Sequence, residues 1–229
     1  MRKDSNEGSM IMKKALTTGF LLAEAILYWL ILTTGGQMLV WSSYLSILLC
    51  LLFSLTGRSR LITGALACTA GADFFLVVSS PIQRLSGMVC FLCAQALYAA
   101  MLHRNQPSRI FLSLRAGITA LAVAVTVLVL REKTDALALV SICYYANLII
   151  NLITAIAQKN KLFSVALVLF LLCDTVIGLQ VAAGNYLPIA EGSLLHRILF
   201  TDFNLAWFFY LPSQVLIVLS SCFRPNPSK

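Results

Sequence analysis

Eight apolar segments, each about 20 residues long, divide the chain and leave short connections between them. A helix needs roughly 20 apolar residues to cross the hydrocarbon core of a bilayer, and in lipid only helices and closed barrels satisfy every backbone group. We therefore predict an all-α polytopic membrane protein, a bundle of about eight transmembrane helices joined antiparallel by short loops. The predicted spans are 15–34, 38–55, 61–79, 82–102, 110–130, 136–157, 162–183 and 203–222.

The composition agrees with a chain made mainly of membrane spans. Hydrophobic residues make up 59% of it and charged residues 11%, whereas soluble domains are about 45–50% apolar. We expect a single transmembrane domain at 15–222, between a basic tail at 1–14 and a short tail at 223–229. The first apolar segment lacks a small-residue cleavage site, which predicts a retained span and no removed signal peptide. The longest connection, 184–202, has room for a short interfacial helix.

Basic residues lie mostly on one side of the predicted spans. Thirteen of the 17 Lys and Arg residues, Arg115 among them, are assigned to the side of the two tails and the even-numbered connections, and four are assigned to the opposite side. By the positive-inside rule both termini are predicted to be cytoplasmic, in an integral, multi-pass protein of a cell or cytoplasmic membrane. The net charge of +8 then indicates topology and contact with anionic lipids. We expect no nucleic-acid partner and no obligate protein partner.

Two acidic residues lie inside predicted spans. Asp73 follows Arg60 by 13 positions and Asp174 follows Lys161 by 13 positions, and each basic residue opens its span. The predicted topology makes these helices parallel, so both carboxyl groups lie about 20 Å from the cytoplasmic ends, at one depth. An ionised carboxylate in hydrocarbon costs at least a few kcal/mol, and an intramembrane Asp is therefore a functional-site hypothesis by default. We predict that the two groups face each other across a shared cavity.

Polar residues on other helices share faces that point into the bundle. The sixth helix has a continuous polar stripe with spacings of three and four residues, and a stripe of this kind does not face lipid. Its members are Ser141, Tyr144, Asn147, Asn151, Thr154 and Gln158, while Gln95 and Tyr98 share a face of the fourth helix and Tyr210 and Gln214 a face of the eighth. Tyr144 and Asn147 are predicted at the depth of the two acids. These side chains either orient water and the acids or form interhelical hydrogen bonds only.

Glu24 is a third acid within a span, near the middle of the first helix. It is either part of the acidic site or a donor in a helix–helix hydrogen bond, and the sequence favours neither. The seven cysteines all fall in apolar stretches. This distribution predicts no metal site and no disulfide framework, and we expect no cofactor.

Four short motifs occur in order along the chain. Gly71-Ala-Asp73-x-x-Leu76 ends the third span and Gly87-x-x-x-Phe91-x-x-x-Gln95-x-x-Tyr98 fills the fourth, followed by Cys173-Asp174 in the seventh and Tyr210-x-x-x-Gln214-x-Leu216 in the eighth. In order and spacing they resemble the YhhN family of lysoplasmalogenases, over nearly the whole chain. The chain departs from that pattern at Ala72, where the family usually has Gly or Ser, and at Gln95, where it usually has His. Gln95 can hydrogen-bond but cannot carry a proton as His can.

The resemblance implies a polytopic hydrolase that cleaves the vinyl ether bond of lysoplasmalogens into a fatty aldehyde and a glycerophospho-alcohol. It implies that Asp73 and Asp174 are the catalytic pair and that the partner is a lysophospholipid in the bilayer. The chemistry needs a proton for the alkenyl carbon, stabilisation of an oxocarbenium-like cation, and a water molecule. Two buried acids that titrate in separate steps can supply a protonated donor and an ionised counter-charge. The sequence does not say which Asp has which role.

Two other classes of function stay open. A proton-coupled transporter of small molecules or lipids could use the two Asp residues as a proton relay. Such transporters usually have inverted repeats and helices broken near the midplane, whereas here the Asp helices are predicted to be parallel and only Pro212 lies well inside a span. A non-catalytic lipid-binding membrane protein would use the same cavity without hydrolysis.

Overall fold

The computed structural model is almost entirely helical in the residues that it describes, 2–57, 59–104, 109–185, 190, 193–201 and 203–222, and these contain no strand. The helices are α1 Arg2–Thr33, α2 Gly36–Ser54, α3 Arg60–Asp73, α4 Arg84–His103, α5 Arg109–Leu130, α6 Ala136–Ala157, α7 Lys161–Asn185, α8 Leu194–Leu199 and α9 Leu205–Cys222. A π-helical turn, Phe74–Val78, continues α3, and a 3-10 turn, Arg131–Lys133, continues α5.

Among the described residues, eight helices are long and apolar enough to cross a membrane. They coincide with the predicted spans to within a few residues, which confirms the predicted all-α transmembrane bundle. α1 begins at Arg2, so residues 2–14 of the predicted tail are helical and continuous with the first span. The tail 223–229 lies outside the described residues, and the cytoplasmic placement of both termini stays a prediction. The connection 184–202 contains the short helix α8, and Gln180 Nε2 of α7 donates a 2.7 Å hydrogen bond to Leu199 O at its end.

Local sequence sets several helix ends. Ser59 precedes α3, and its side chain accepts a 3.4 Å hydrogen bond from Ile62 N. Asp135 precedes α6, and its Oδ1 accepts a 2.7 Å hydrogen bond from Ala138 N. Ser and Asp are preferred at this position because their side chains pair with backbone N–H groups that have no partner inside the helix. The tight connection between α1 and α2 uses Gly36 at a φ of 60°, a conformation that glycine adopts without a steric cost.

Six helices form a ring around the buried core. α2 packs on α3, α3 on α4, α4 on α6, α6 on α7, α7 on α9, and α9 on α2. The hydrophobic core is built from these six helices and Phe20 of α1. α1 lies outside the ring against α2 and α9, and α5 lies outside it against α6. Because the chain reverses direction at each connection between spans, α3 and α7 run parallel on the ring.

Small residues let α3 and its π-helical turn approach α4 closely. A Cβ atom added at Gly64 would lie 3.4 Å from Leu97 Cδ1. Gly87 is in a tighter position, because a Cβ atom there would lie 2.5 Å from Leu76 Cγ. Leu76 belongs to the π-helical turn that begins directly after Asp73. Gly87 therefore sets how close the segment carrying Asp73 comes to α4.

Candidate active site

Asp73 is the last residue of α3, where the helix changes to a π-helical turn. The wider turn is closed by the hydrogen bond from Ser79 N to Phe74 O, at 2.8 Å. The Asp73 side chain is 3% exposed, and its Oδ2 accepts a 2.7 Å hydrogen bond from Tyr210 Oη of α9. Single π-helical turns within helices occur frequently at functional sites. The position of Asp73 thus combines burial, a fixed orientation and an irregular backbone.

Asp174 lies 13 residues after the start of α7, the same spacing that separates Asp73 from the start of α3. Its Oδ2 accepts a hydrogen bond from Tyr144 Oη of α6. The next residues on the two helices also pair, with Tyr145 Oη and Thr175 Oγ1 2.9 Å apart. Asp174 is partly exposed, whereas Asp73 is buried. Of the two acids, Asp174 is therefore the more accessible.

Aromatic rings connect the two Asp–Tyr pairs. The Phe91 ring of α4 lies 5.6 Å from that of Tyr144 and 6.4 Å from that of Tyr210, measured between centroids. The Phe170 ring of α7 lies 6.4 Å from that of Tyr144 and 5.5 Å from that of Tyr210. Tilted and edge-on contacts at these distances are the favoured geometries of aromatic pairs. The structure thus places both Asp–Tyr pairs against one cluster of aromatic rings.

Each carboxyl group keeps one oxygen available. Tyr210 occupies Oδ2 of Asp73 and Tyr144 occupies Oδ2 of Asp174. Within the described part of the chain, the second oxygen of each group accepts no hydrogen bond. Two carboxyl groups held in fixed orientation, each with a free oxygen and with apolar rings between them, can donate a proton and stabilise a cation.

Gln95, Asn147 and Asn151 lie in a second polar cluster, centred on Arg115 of α5. Arg115 Nη1 donates a 3.0 Å hydrogen bond to Asn147 Oδ1, and Nη2 donates a 2.6 Å hydrogen bond to Asn151 Oδ1. Asn151 Nδ2 donates to both O and Oε1 of Gln95, each at 2.9 Å. These three predicted site residues form no hydrogen bond to either Asp in the structure. The polar face of α6 points into the bundle, but there its two asparagines contact Arg115 and neither Asp.

Tyr98 and Gln214 are fully buried without a hydrogen bond to Asp73 or Asp174. The Tyr98 ring packs edge-on against Phe163, with centroids 5.4 Å apart. Gln214 lies one turn after Tyr210 on α9, and its Nε2 donates a 3.1 Å hydrogen bond to Ser213 Oγ. Both side chains thus belong to the packed interior around the site.

Glu24 connects α1 to α2, away from the two Asp residues. Its Oε2 accepts a 2.6 Å hydrogen bond from Ser46 Oγ, and its Oε1 accepts a 3.3 Å hydrogen bond from Cys50 Sγ. Of the two interpretations left open by the sequence, these contacts fit the helix–helix hydrogen bond. The Ser46 hydroxyl and the Cys50 thiol of α2 both lie against its carboxyl group.

Sequence reasoning missed Phe170 and Arg115 as parts of these clusters. Phe170 precedes Asp174 by four residues, so helix periodicity places both on one face of α7. Arg115 was counted with the basic residues at the membrane surface, although it lies six residues inside α5. Among the described residues, no group of three or more His, Cys, Asp or Glu side chains is arranged to hold a metal ion.

Residues 37–221 match the model of the YhhN family. The matched region begins in α2 and ends in α9, and it contains both Asp–Tyr pairs and the Arg115 cluster. Comparison with curated proteins and with solved structures gave no match. The chain is an integral, multi-pass membrane protein, and it belongs to the YhhN family.

Proposed function

We propose that this protein is a lysoplasmalogenase, an intramembrane hydrolase that cleaves the vinyl ether bond of lysoplasmalogens. Asp73 and Asp174 are its proposed catalytic residues. The observation that carries the proposal is that two buried or partly buried carboxyl groups each accept a hydrogen bond from a tyrosine hydroxyl, and both tyrosines pack on one cluster of aromatic rings inside the bundle. The chain belongs to the YhhN family. This supports the same reaction, because the resemblance to that family implies lysoplasmalogenase activity.

The reaction adds one water molecule across the vinyl ether. A protonated carboxyl group gives its proton to the alkenyl carbon that is not bonded to oxygen, which leaves an oxocarbenium-like cation. The second carboxyl group, ionised, stabilises this cation and accepts a proton from the attacking water. The resulting hemiacetal breaks its bond to the glyceryl oxygen, which takes up a proton as it leaves. The products are a fatty aldehyde and a glycerophospho-alcohol.

The two Asp residues differ in access, and this suggests a role for each. A charge is costly to bury, so we assign the ionised role of counter-charge to the partly exposed Asp174. Buried Asp73 then keeps its proton and is the proton donor. Tyr144 and Tyr210 hold one oxygen of each group and direct the other towards the reacting atoms. The faces of the neighbouring aromatic rings add cation–π stabilisation.

The test is aldehyde release from lysoplasmalogen by the purified protein. We expect release by the wild type and none by Asp73→Asn or Asp174→Asn. Asparagine has nearly the shape of aspartate and still accepts a hydrogen bond from a tyrosine, so the change removes the proton chemistry and spares the packing. Glu24→Gln is the matched control, because it makes the same acid-to-amide change at a buried acid of α1 outside the pair.

We expect Glu24→Gln to release aldehyde at the wild-type rate and all three variants to elute from gel filtration as folded protein. Full activity in either Asp variant would exclude the paired-acid mechanism. No release by the wild type would exclude the hydrolase and favour a transporter or a non-catalytic lipid-binding protein, neither of which makes aldehyde.

A further inference from the structure

Arg115 is a buried cation whose contacts in the described part of the chain are all neutral. Its side chain is 8% exposed. The two terminal nitrogens donate to the amide oxygens of Asn147 and Asn151, and among the residues that the structure describes no carboxylate pairs with the guanidinium. A charge removed from water is costly unless an opposite charge and hydrogen bonds compensate it. The described groups around Arg115 supply some hydrogen bonds but not the opposite charge.

The atoms of this cluster that lack partners are all donors. Arg115 Nε and Gln95 Nε2 are buried and form no hydrogen bond with the residues that the structure describes. The acceptor of the Gln95 amide is already used, because its Oε1 receives a hydrogen bond from Asn151. Buried polar groups in folded proteins nearly always have a partner. These donors call for an acceptor, and the charge of Arg115 favours an anion in that position.

Arg115 lies on the wall of a groove between α5 and α6, with a volume of about 610 Å³. Beyond Arg115, Asn147 and Thr119, apolar side chains line it, among them Ala116, Ala120, Val123 and Ala124. From Arg115 to Ala124 these residues follow one face of α5 over about 13 Å. A groove with a cation near one end and an apolar wall along the rest is complementary to a molecule with an anionic head and one hydrocarbon chain.

We propose that Arg115 binds the phosphate group of a single-chain phospholipid whose hydrocarbon chain lies in the α5–α6 groove. The planar guanidinium pairs with two phosphate oxygens at once, so Nε and a terminal nitrogen can engage the ligand together. Arg115 lies six residues, about 9 Å, from the first residue of α5, a depth that the headgroup of a lipid can reach.

The phosphate site is close to the acidic pair along α6. Asn147, which contacts Arg115, lies three residues from Tyr144, which holds Asp174. Three residues of helix correspond to about 5 Å, and in a lysoplasmalogen only the glycerol unit separates the phosphate from the ether oxygen. The identification of the bound lipid with the substrate rests on the proposed function. The phosphate site itself rests on the contacts of Arg115.

The test measures binding of a saturated 1-O-alkyl lysophospholipid to the purified protein by native mass spectrometry. This ligand has the phosphate but no vinyl ether, so the outcome does not depend on hydrolysis. The matching 1-O-alkyl glycerol has the same chain without the phosphate. We expect the wild type to bind the phospholipid about 10- to 100-fold more tightly than the diol, the range for a few charge-assisted hydrogen bonds. Arg115→Gln should remove this preference.

Two further variants keep the test decisive. Arg115→Lys keeps the charge without the planar fork, and we expect severalfold weaker binding of the phospholipid with a remaining preference over the diol. Arg104→Gln is the matched control, because it removes an exposed charge at the adjacent end of α4 and should change nothing. Equal binding of both ligands by the wild type would overturn the proposal, as would undiminished binding in both Arg115 variants. Inorganic phosphate that binds as tightly as the lipid would also overturn it.

Discussion

The contact between Gly87 and Leu76 offers a test of how packing positions Asp73. In Gly87→Ala, the added Cβ would lie 2.5 Å from Leu76 Cγ, 2.8 Å from Cδ2 and 3.0 Å from Cδ1. Carbon atoms in favourable contact are about 3.5–4.0 Å apart, so α4 and the π-helical turn must separate by roughly 1 Å. Overpacking of this kind costs about 1–3 kcal/mol.

Gly117→Ala separates the clash from the general effect of replacing glycine in a helix. Alanine stabilises a helix interior by about 1 kcal/mol relative to glycine, and this gain is common to both variants. No atom lies within 4 Å of the position of a Cβ at Gly117. We therefore expect Gly87→Ala to be less stable than Gly117→Ala by about 1–3 kcal/mol, which corresponds to about 2–12 °C in the unfolding midpoint.

Activity should change more than stability in Gly87→Ala. Leu76 lies in the turn that follows Asp73, so the displacement reaches the carboxyl group, and a misplacement of about 1 Å can cost about 100-fold in rate. The assays are thermal unfolding followed by tryptophan fluorescence in detergent, and aldehyde release. In the double variant Gly87→Ala/Leu76→Ala the clashing atoms of Leu76 are absent. Its losses of stability and of activity should therefore be smaller than the sums of the losses in the two single variants. If Gly87→Ala had the same unfolding midpoint and the same rate of aldehyde release as Gly117→Ala, the reasoning would be refuted.

Two other predictions concern hydrogen bonds of single side chains. Tyr144→Phe and Tyr210→Phe each remove the donor to a carboxyl oxygen, and the loss of a hydrogen bond of about 1.5–3 kcal/mol should lower kcat for aldehyde release about 10- to 100-fold. Tyr145→Phe is the control, because the Tyr145 hydroxyl forms a hydrogen bond with Thr175 and not with an Asp. An unchanged kcat in both Tyr144→Phe and Tyr210→Phe would contradict the proposed roles. Asp135→Ala removes the side-chain acceptor at the start of α6 and should cost about 0.5–2 kcal/mol of stability with kcat unchanged; an unchanged unfolding midpoint would contradict the capping role.

Much of the fold could be predicted from the sequence because the bilayer imposes a length on each apolar segment. The eight spans needed no knowledge of packing, and the helices end within a few residues of the predicted positions. The helix starts at Arg60 and Lys161 are those of α3 and α7, so the 13-residue spacings alone placed Asp73 and Asp174 at equal distances along parallel helices. The motifs that contain these residues indicated the YhhN family, which the family match confirms.

The contacts of individual polar residues could not be predicted in this way. Helix periodicity showed that Tyr144, Asn147 and Asn151 share one face, but not which neighbours that face meets. In the structure Tyr144 binds Asp174 of α7, while the two asparagines bind Arg115 of α5.

The sequence by itself determined the number of spans, their limits and the equal spacing of the two acids from the starts of their helices, since each depends only on the order of residues along one helix. Only the tertiary structure decided that Glu24 pairs with α2 and that Arg115 is buried beside Gln95 and Asn151. A side chain's partner depends on which helix lies against its face, and the arrangement of helices around the ring is set by packing between segments far apart in the chain.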